Sequence, residues 1–99
     1  MLVHSVFFWL QPGLTPAQHD EFRRGLDSLT GLRAATEVYI GTPAPTAKRP
    51  PLDDSYSFAL TVLFRDVAAH DAYQVDPAHR AFIETFKSYW TRIQIYDAA

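Results

Sequence analysis

The chain contains no cysteine, which removes disulfides, thiol catalysis and zinc–thiolate sites at a stroke and fits a cytoplasmic location. It has no apolar run approaching the roughly 18 residues needed to cross a bilayer, so no membrane partner is expected. The apolar opening Leu2–Leu10 has no basic region before it and no small-residue cleavage site after it, and is not read as a signal peptide. A net charge of −2 with mixed signs leaves no basic footprint for nucleic acid. Lys48-Arg49, the nearest thing to one, is two charges in a proline-rich stretch. A phosphate loop, a dinucleotide fingerprint and a nucleophilic serine elbow are all missing, so any chemistry is expected to run without a nucleotide cofactor.

What is present is apolar and aromatic: 47% hydrophobic and 14% aromatic residues in 99, enough for one packed core and one domain spanning residues 1–99. Leu2–Leu10 is β-branched and aromatic and stops at Pro12-Gly13, as a first strand would. Thr15-Pro16-Ala17-Gln18 then reads as a helix start, with Thr15 capping, Pro16 in the first turn and Gln18 closing a capping box. Phe22, Leu26 and Leu29 recur at i, i+4 and i+7 as one apolar stripe, and Gly31 is the expected stop. Thr36–Gly41 is a second strand. Residues 42–54 carry Pro43, Pro45, Pro50 and Pro51 and are expected to form a surface loop, with Arg49, Asp53 and Asp54 supplying a surface ion pair.

Tyr56–Phe64 is a third strand, with Tyr56, Phe58, Leu60, Val62 and Phe64 on one face. Asp66 can cap a short helix to about Tyr73, and Asp76-Pro77 starts another that turns Phe82, Ile83 and Phe86 to one side. Trp90–Asp97 is the last strand. The order β-α-β-β-α-β is the ferredoxin-like plan, an α+β fold with a four-stranded antiparallel sheet and its second helix broken near Gln74–Asp76. Strand one is apolar on both faces: Leu2, His4, Val6, Phe8 and Leu10 on one, Val3, Phe7 and Trp9 on the other. The helices cover one side, so a second copy of the sheet, giving a homodimer, is the simplest cover for the other.

His4 in the first strand, Gly41 closing the second, Asp54-Ser55-Tyr56-Ser57-Phe58-Ala59-Leu60 entering the third, Tyr73-Gln74-Val75-Asp76-Pro77-Ala78-His79, then Trp90 and Ile95-Tyr96-Asp97 form a distinctive series. In that series the chain resembles the stress-responsive dimeric α/β-barrel (Dabb) family along essentially its whole length. The most specific part is the tyrosine followed by Pro77-Ala78-His79; the family usually has His-Pro-Ala-His there, and this chain has Asp76 in place of the first histidine. The resemblance implies ferredoxin-like protomers paired into a dimeric barrel, each with a small-ligand cavity between sheet and helices. Most members have no established activity. Some plant members are polyketide cyclases that close a ring by aldol chemistry without a cofactor. In those, a histidine and a tyrosine matching His79 and Tyr73 do the acid–base work, supported by residues matching His4 and Asp97. Where the cyclases have aromatic pocket walls in the first helix, this chain has Arg23 and Leu26.

The residues can also be read directly. In the strand order 4-1-3-2 the first and last strands are antiparallel neighbours, which brings His4 beside Asp97, and a carboxylate fixes an imidazole's tautomer and raises its basicity. His79 falls in the first turn after Asp76-Pro77, where the helix dipole disfavours a positive charge and keeps the ring a proton acceptor. Tyr73 can donate a hydrogen bond to a developing oxyanion. Each has a plainer reading as well: His79 satisfying a backbone carbonyl, Tyr73 in the core with its hydroxyl at the rim, His4 and Asp97 tying the chain ends together. A His4–His79–Asp97 metal site is the weaker alternative, because no ligand pair has the helical i, i+4 spacing. His19 and His70 fall on polar stretches and are expected to be solvated.

The leading expectation is a domain binding a small hydrophobic or carbonyl-containing ligand beside His79 and Tyr73, with cofactor-free acid–base chemistry of the cyclase kind. The alternatives are a non-catalytic stress or ligand-carrier protein with the same pocket, and, by fold analogy alone, a cofactor-independent oxygenase.

Overall fold

A computed structural model describes residues 1–99 and contains seven elements. They are β1 (Leu2–Leu10), α1 (Pro16–Asp27), β2 (Ala35–Gly41), β3 (Phe58–Phe64), α2 (Val67–Gln74), α3 (Pro77–Phe86) and β4 (Trp90–Ala98). The strands form one antiparallel sheet in the order β2-β3-β1-β4, the ferredoxin-like arrangement. None of the helices is long and apolar enough to cross a membrane.

Helix α1 begins as its sequence dictates. Gln18 N donates to Thr15 Oγ1 at 3.2 Å and Thr15 N donates to Gln18 Oε1 at 2.8 Å, the two halves of a capping box. It ends at Asp27, short of Gly31, because two hydroxyls take over carbonyls that further turns would have used. Ser28 Oγ donates to the Gly25 carbonyl at 2.6 Å and Thr30 Oγ1 to the Asp27 carbonyl at 2.7 Å. The apolar stripe survives this early stop, since Phe22, Leu26 and Leu29 are all fully buried. Gly25 sits where α1 crosses α3; a Cβ there would lie 2.4 Å from the Phe86 ring, so only glycine permits this approach.

Helices α1, α2 and α3 lie on one face of the sheet and seal a core drawn from β1 (Leu2, Val6, Phe8, Leu10) and β3 (Phe58, Leu60, Val62, Phe64). The Phe22 ring is the hub of its aromatic end, with centroids of Phe8, Phe58, Phe82 and Phe86 at 5.2, 5.5, 5.7 and 5.5 Å. Such tilted and edge-on pairs add about 0.5–1.5 kcal/mol each beyond the area they bury.

The other face of the sheet carries Val3, Phe7 and Trp9 of β1 with Tyr39 and Tyr96 of the flanking strands, half-buried to exposed in the single chain. Tyr56 belongs to this face and to no strand, contrary to its place in the alternating pattern: β3 starts only at Phe58, and Tyr56 packs its ring 5.0 Å from Phe7. The chain is pulled aside by hydrogen bonds to β1, from Ser57 N to Phe8 O at 2.7 Å and from Trp9 Nε1 to Ser55 Oγ at 2.9 Å. Residues 42–54 form no helix or strand, as four prolines require. The ion pair in that loop joins Lys48 to Asp54; Arg49 instead donates to the Ala47 carbonyl at 3.1 Å, and Asp53 accepts from Ser55.

Candidate active site

The sheet register puts His4 of β1 directly opposite Asp97 of β4, with both side chains on the helix-covered face. His4 Nδ1 and Asp97 Oδ1 are 2.5 Å apart. His4 is buried, while Asp97 reaches solvent at the sheet edge. Helix α2 lowers two rings onto this pair from one face, three residues apart: His70, 5.1 Å edge-on from His4, and Tyr73, 6.4 Å from His4. Asp76 then caps α3 by accepting from Ala78 N at 2.8 Å, and Pro77 opens the helix. This capped first turn holds His79 with its ring centroid 4.7 Å from that of Tyr73.

Burial sets the electrostatics here. It depresses the basicity of His79, helped by the nearby His4; the Gln74 backbone and the Asp76 carboxylate oppose it without prevailing. Desolvation thus acts in the same direction as the helix dipole, both favouring the neutral ring. Tyr73 is completely buried, and its phenol is pushed up to about 12, first by that burial and then by the Asp76 charge. Its hydroxyl is buried as well, not at a rim, and has no hydrogen-bond partner within the protein. A buried, protonated, unpartnered phenol is a donor free to serve another group.

Between sheet and helices lies a cavity of about 80 Å3. His4, Gln74 and His79 provide its polar wall, and Val6, Leu29, Leu60, Ile83 and Ile95 are among its apolar ones. Tyr73 does not itself line it; the ring stands behind His79, packed also on Phe64 at 5.0 Å. Of the four candidate residues, the fold brings His4, Asp97, Tyr73 and His79 into one cluster, with His4 and His79 facing the cavity. Arg23 stays outside it on the exposed side of α1, beside Asp27, and Leu26 is core; Leu29 forms that wall instead. Larger hollows exist, about 140 Å3 against Trp9 and Arg92 on the bare sheet face and about 410 Å3 between Arg33 and Arg65, but neither contains a histidine.

His70 is a correction. Expected in solvent, it is largely buried against His4 and Phe64, because it shares a helix face with Tyr73. The i, i+3 spacing of His70 and Tyr73 was the signal that could have placed it. His79 likewise does not complete a ligand set with His4 and Asp97; the histidine that converges on that pair is His70.

A family model described as the stress-responsive A/B barrel domain matches residues 2–99. The chain belongs to that family. As a Dabb protein it is similar to olivetolic acid cyclase of Cannabis sativa, with 25% identity over 95 residues that cover 95% of this chain and 91% of the cyclase. Among solved structures, a dimeric ferredoxin-like protein from Jannaschia shares 25% identity at a TM-score of 0.74, covering 99% of this chain and 97% of that one. The hydroxynitrile lyase of Passiflora edulis has the same fold at 20% identity, with a TM-score of 0.79 over 98% of this chain and 90% of that one. At this identity the lyase speaks for the fold alone.

Proposed function

We propose that this Dabb protein binds a small hydrophobic carbonyl compound between sheet and helices and catalyses cofactor-free proton transfer on it. The observation that carries the reading is the pairing of an uncharged His79 with the unpartnered phenol of Tyr73 beside an apolar cavity. In the reaction, His79 takes a proton from the carbon next to the carbonyl; the Tyr73 hydroxyl, which does not line the cavity, donates to the oxygen that gains charge only once the wall at His79 opens to it. The enolate carbon then bonds to a second carbonyl of the same molecule, and the alkoxide so formed recovers the proton from the His79 imidazolium. His4, held by Asp97, orients the ligand from the opposite wall.

The size of the cavity constrains the substrate. A cavity of about 150 Å3 accommodates benzene, so about 80 Å3 holds only the reacting end of a diketone long enough to close a ring. The likeness to the plant cyclase supports the reaction class; the small cavity argues against a substrate as large as a polyketide in this arrangement.

The same family membership and the dimeric Jannaschia relative support a homodimer, and the bare aromatic face of the sheet is the surface it would bury. Size-exclusion with light scattering on the wild type should give twice the chain mass, and Phe7→Glu should shift it to monomer, because burying an unpaired charge costs several kcal/mol. A monomeric wild type at micromolar concentration overturns the dimer.

The catalytic test is His79→Ala with a small diketone substrate. Turnover should fall roughly 10²–10⁴-fold, the range for loss of a general base, with ligand affinity little changed. For the wild type, the acid limb of kcat/KM should have its midpoint below the ordinary histidine value, since burial depresses His79. Undiminished turnover in His79→Ala overturns the mechanism. Tight binding without turnover in the wild type would make the protein a carrier.

A further inference from the structure

We infer that His4, His70 and Asp97 form a site for a divalent transition-metal ion beside the His79–Tyr73 pair, built partly from the His4–Asp97 pair that the proposed function uses to orient its ligand. One ligand atom from each lies within 4.8 Å of the other two. With metal bonds of about 2.0–2.1 Å, ligand atoms around a tetrahedral ion are separated by about 3.4 Å. The separations present straddle that value: 2.5 Å from His4 Nδ1 to Asp97 Oδ1 and 3.9 Å from His70 Nε2 to Asp97 Oδ2. These two distances run to different oxygens of Asp97, so a single ion requires the carboxylate and the His70 ring to turn toward one another.

A second observation, outside the three ligands, points the same way. His70 Nδ1 is 3.0 Å from Asp71 Oδ1, on the outer side of the ring. A carboxylate there holds the proton on Nδ1 and leaves the Nε2 lone pair toward Asp97 and the Gln74 side-chain nitrogen, 3.5 Å away, which a bound ion displaces. His4 comes from β1, Asp97 from β4 and His70 from α2, so the sheet fixes two ligands and the helix supplies the third. Two imidazoles and one carboxylate select zinc, cobalt or iron(II) over magnesium or calcium, which prefer all-oxygen cages. Asp97 reaches solvent, giving the ion a way in and leaving room for water as a further ligand. Binding displaces the proton shared by His4 and Asp97, which is released to solvent.

The test is titration of the chelator-treated full chain with Co2+, read by the visible ligand-field bands of a four- or five-coordinate ion. One Co2+ per chain is expected, displaced by Zn2+ and indifferent to excess Mg2+. His70→Ala should abolish the bands. Asp71→Asn, on the exposed outer side, should weaken binding about 10–100-fold, the usual cost of losing an outer partner, and it keeps the question answerable if His70→Ala fails to fold. His79→Ala should bind Co2+ as the wild type does, so failure of this site and failure of the proposed catalysis are told apart. Absence of the bands, their persistence in His70→Ala, full affinity in Asp71→Asn, or their loss only in His19→Ala overturns the site.

Discussion

The layer between sheet and helices has two ends built to opposite rules. At one, Phe22 is enclosed by Phe8, Phe58, Phe82 and Phe86, and every one of those rings is buried. At the other, His4, His70, Tyr73 and His79 crowd together with an unpartnered hydroxyl and an open cavity. The five phenylalanine rings of the aromatic end have no polar atoms to satisfy, so close packing is their whole contribution. The polar end gives up packing and hydrogen bonds that would have stabilised the fold, and retains groups able to act on a ligand. The molecule thus sets packing and chemistry side by side along a single interface, four positions apart on β1, where Phe8 and His4 point the same way and Phe8 and Phe82 also line the cavity.

The contrast is broken most severely at the aromatic hub. Phe22→Ala should cost about 3–5 kcal/mol in denaturant unfolding, the range for truncating a buried phenylalanine, and should loosen the Gly25–Phe86 contact next to it. A loss under about 1 kcal/mol would mean that this end is not the stabilising one.

At the polar end the expected effect is smaller and depends on pH. Tyr73 ionises near 10 in the unfolded chain and at about 12 in the fold. Between those values the unfolded chain binds fewer protons, so stability should fall as pH rises through 10, by about 2–3 kcal/mol in all, complete near pH 12. Comparing wild type with Tyr73→Phe isolates this residue from the other tyrosines, since the variant should lack the step. At neutral pH the same variant should be as stable as wild type or more so, by on the order of 1 kcal/mol, because it removes a buried hydroxyl without a partner. Turnover should fall at the same time. A destabilised Tyr73→Phe would show that the hydroxyl is structurally satisfied and would sink the trade between the two ends.

The smallest effect belongs to the cap that links them. Asp76→Ala should cost about 1 kcal/mol by unfolding, because Ala78 N loses its acceptor. It should also lower the His79 midpoint further in an NMR titration, since the Asp76 carboxylate favours the charged ring. An unmoved midpoint would mean that burial and His4 alone set that ring.

The elements were legible because their signals are local. The period-2 pattern of β1, the Thr15–Gln18 box and the Asp66 and Asp76 caps each act within a few residues, and the strand order then places His4 opposite Asp97. Where other hydrogen-bond partners compete, whether three residues away or on another strand, these signals misled. Ser28 and Thr30 ended α1 before Gly31, and β1 drew Tyr56 to the wrong face through Ser57. By itself, then, the sequence determined the β-α-β-β-α-β order, the apolar faces and the grouping of His4 with Asp97 and Tyr73 with His79. Tertiary structure alone decided that His70 joins His4 and Asp97, that Tyr73 stands behind the cavity wall with its hydroxyl unpaired, and that burial depresses the basicity of His79. The physical reason is that burial, and with it the loss of water around a polar group, is a sum over contacts from many elements, which no single stretch of chain encodes.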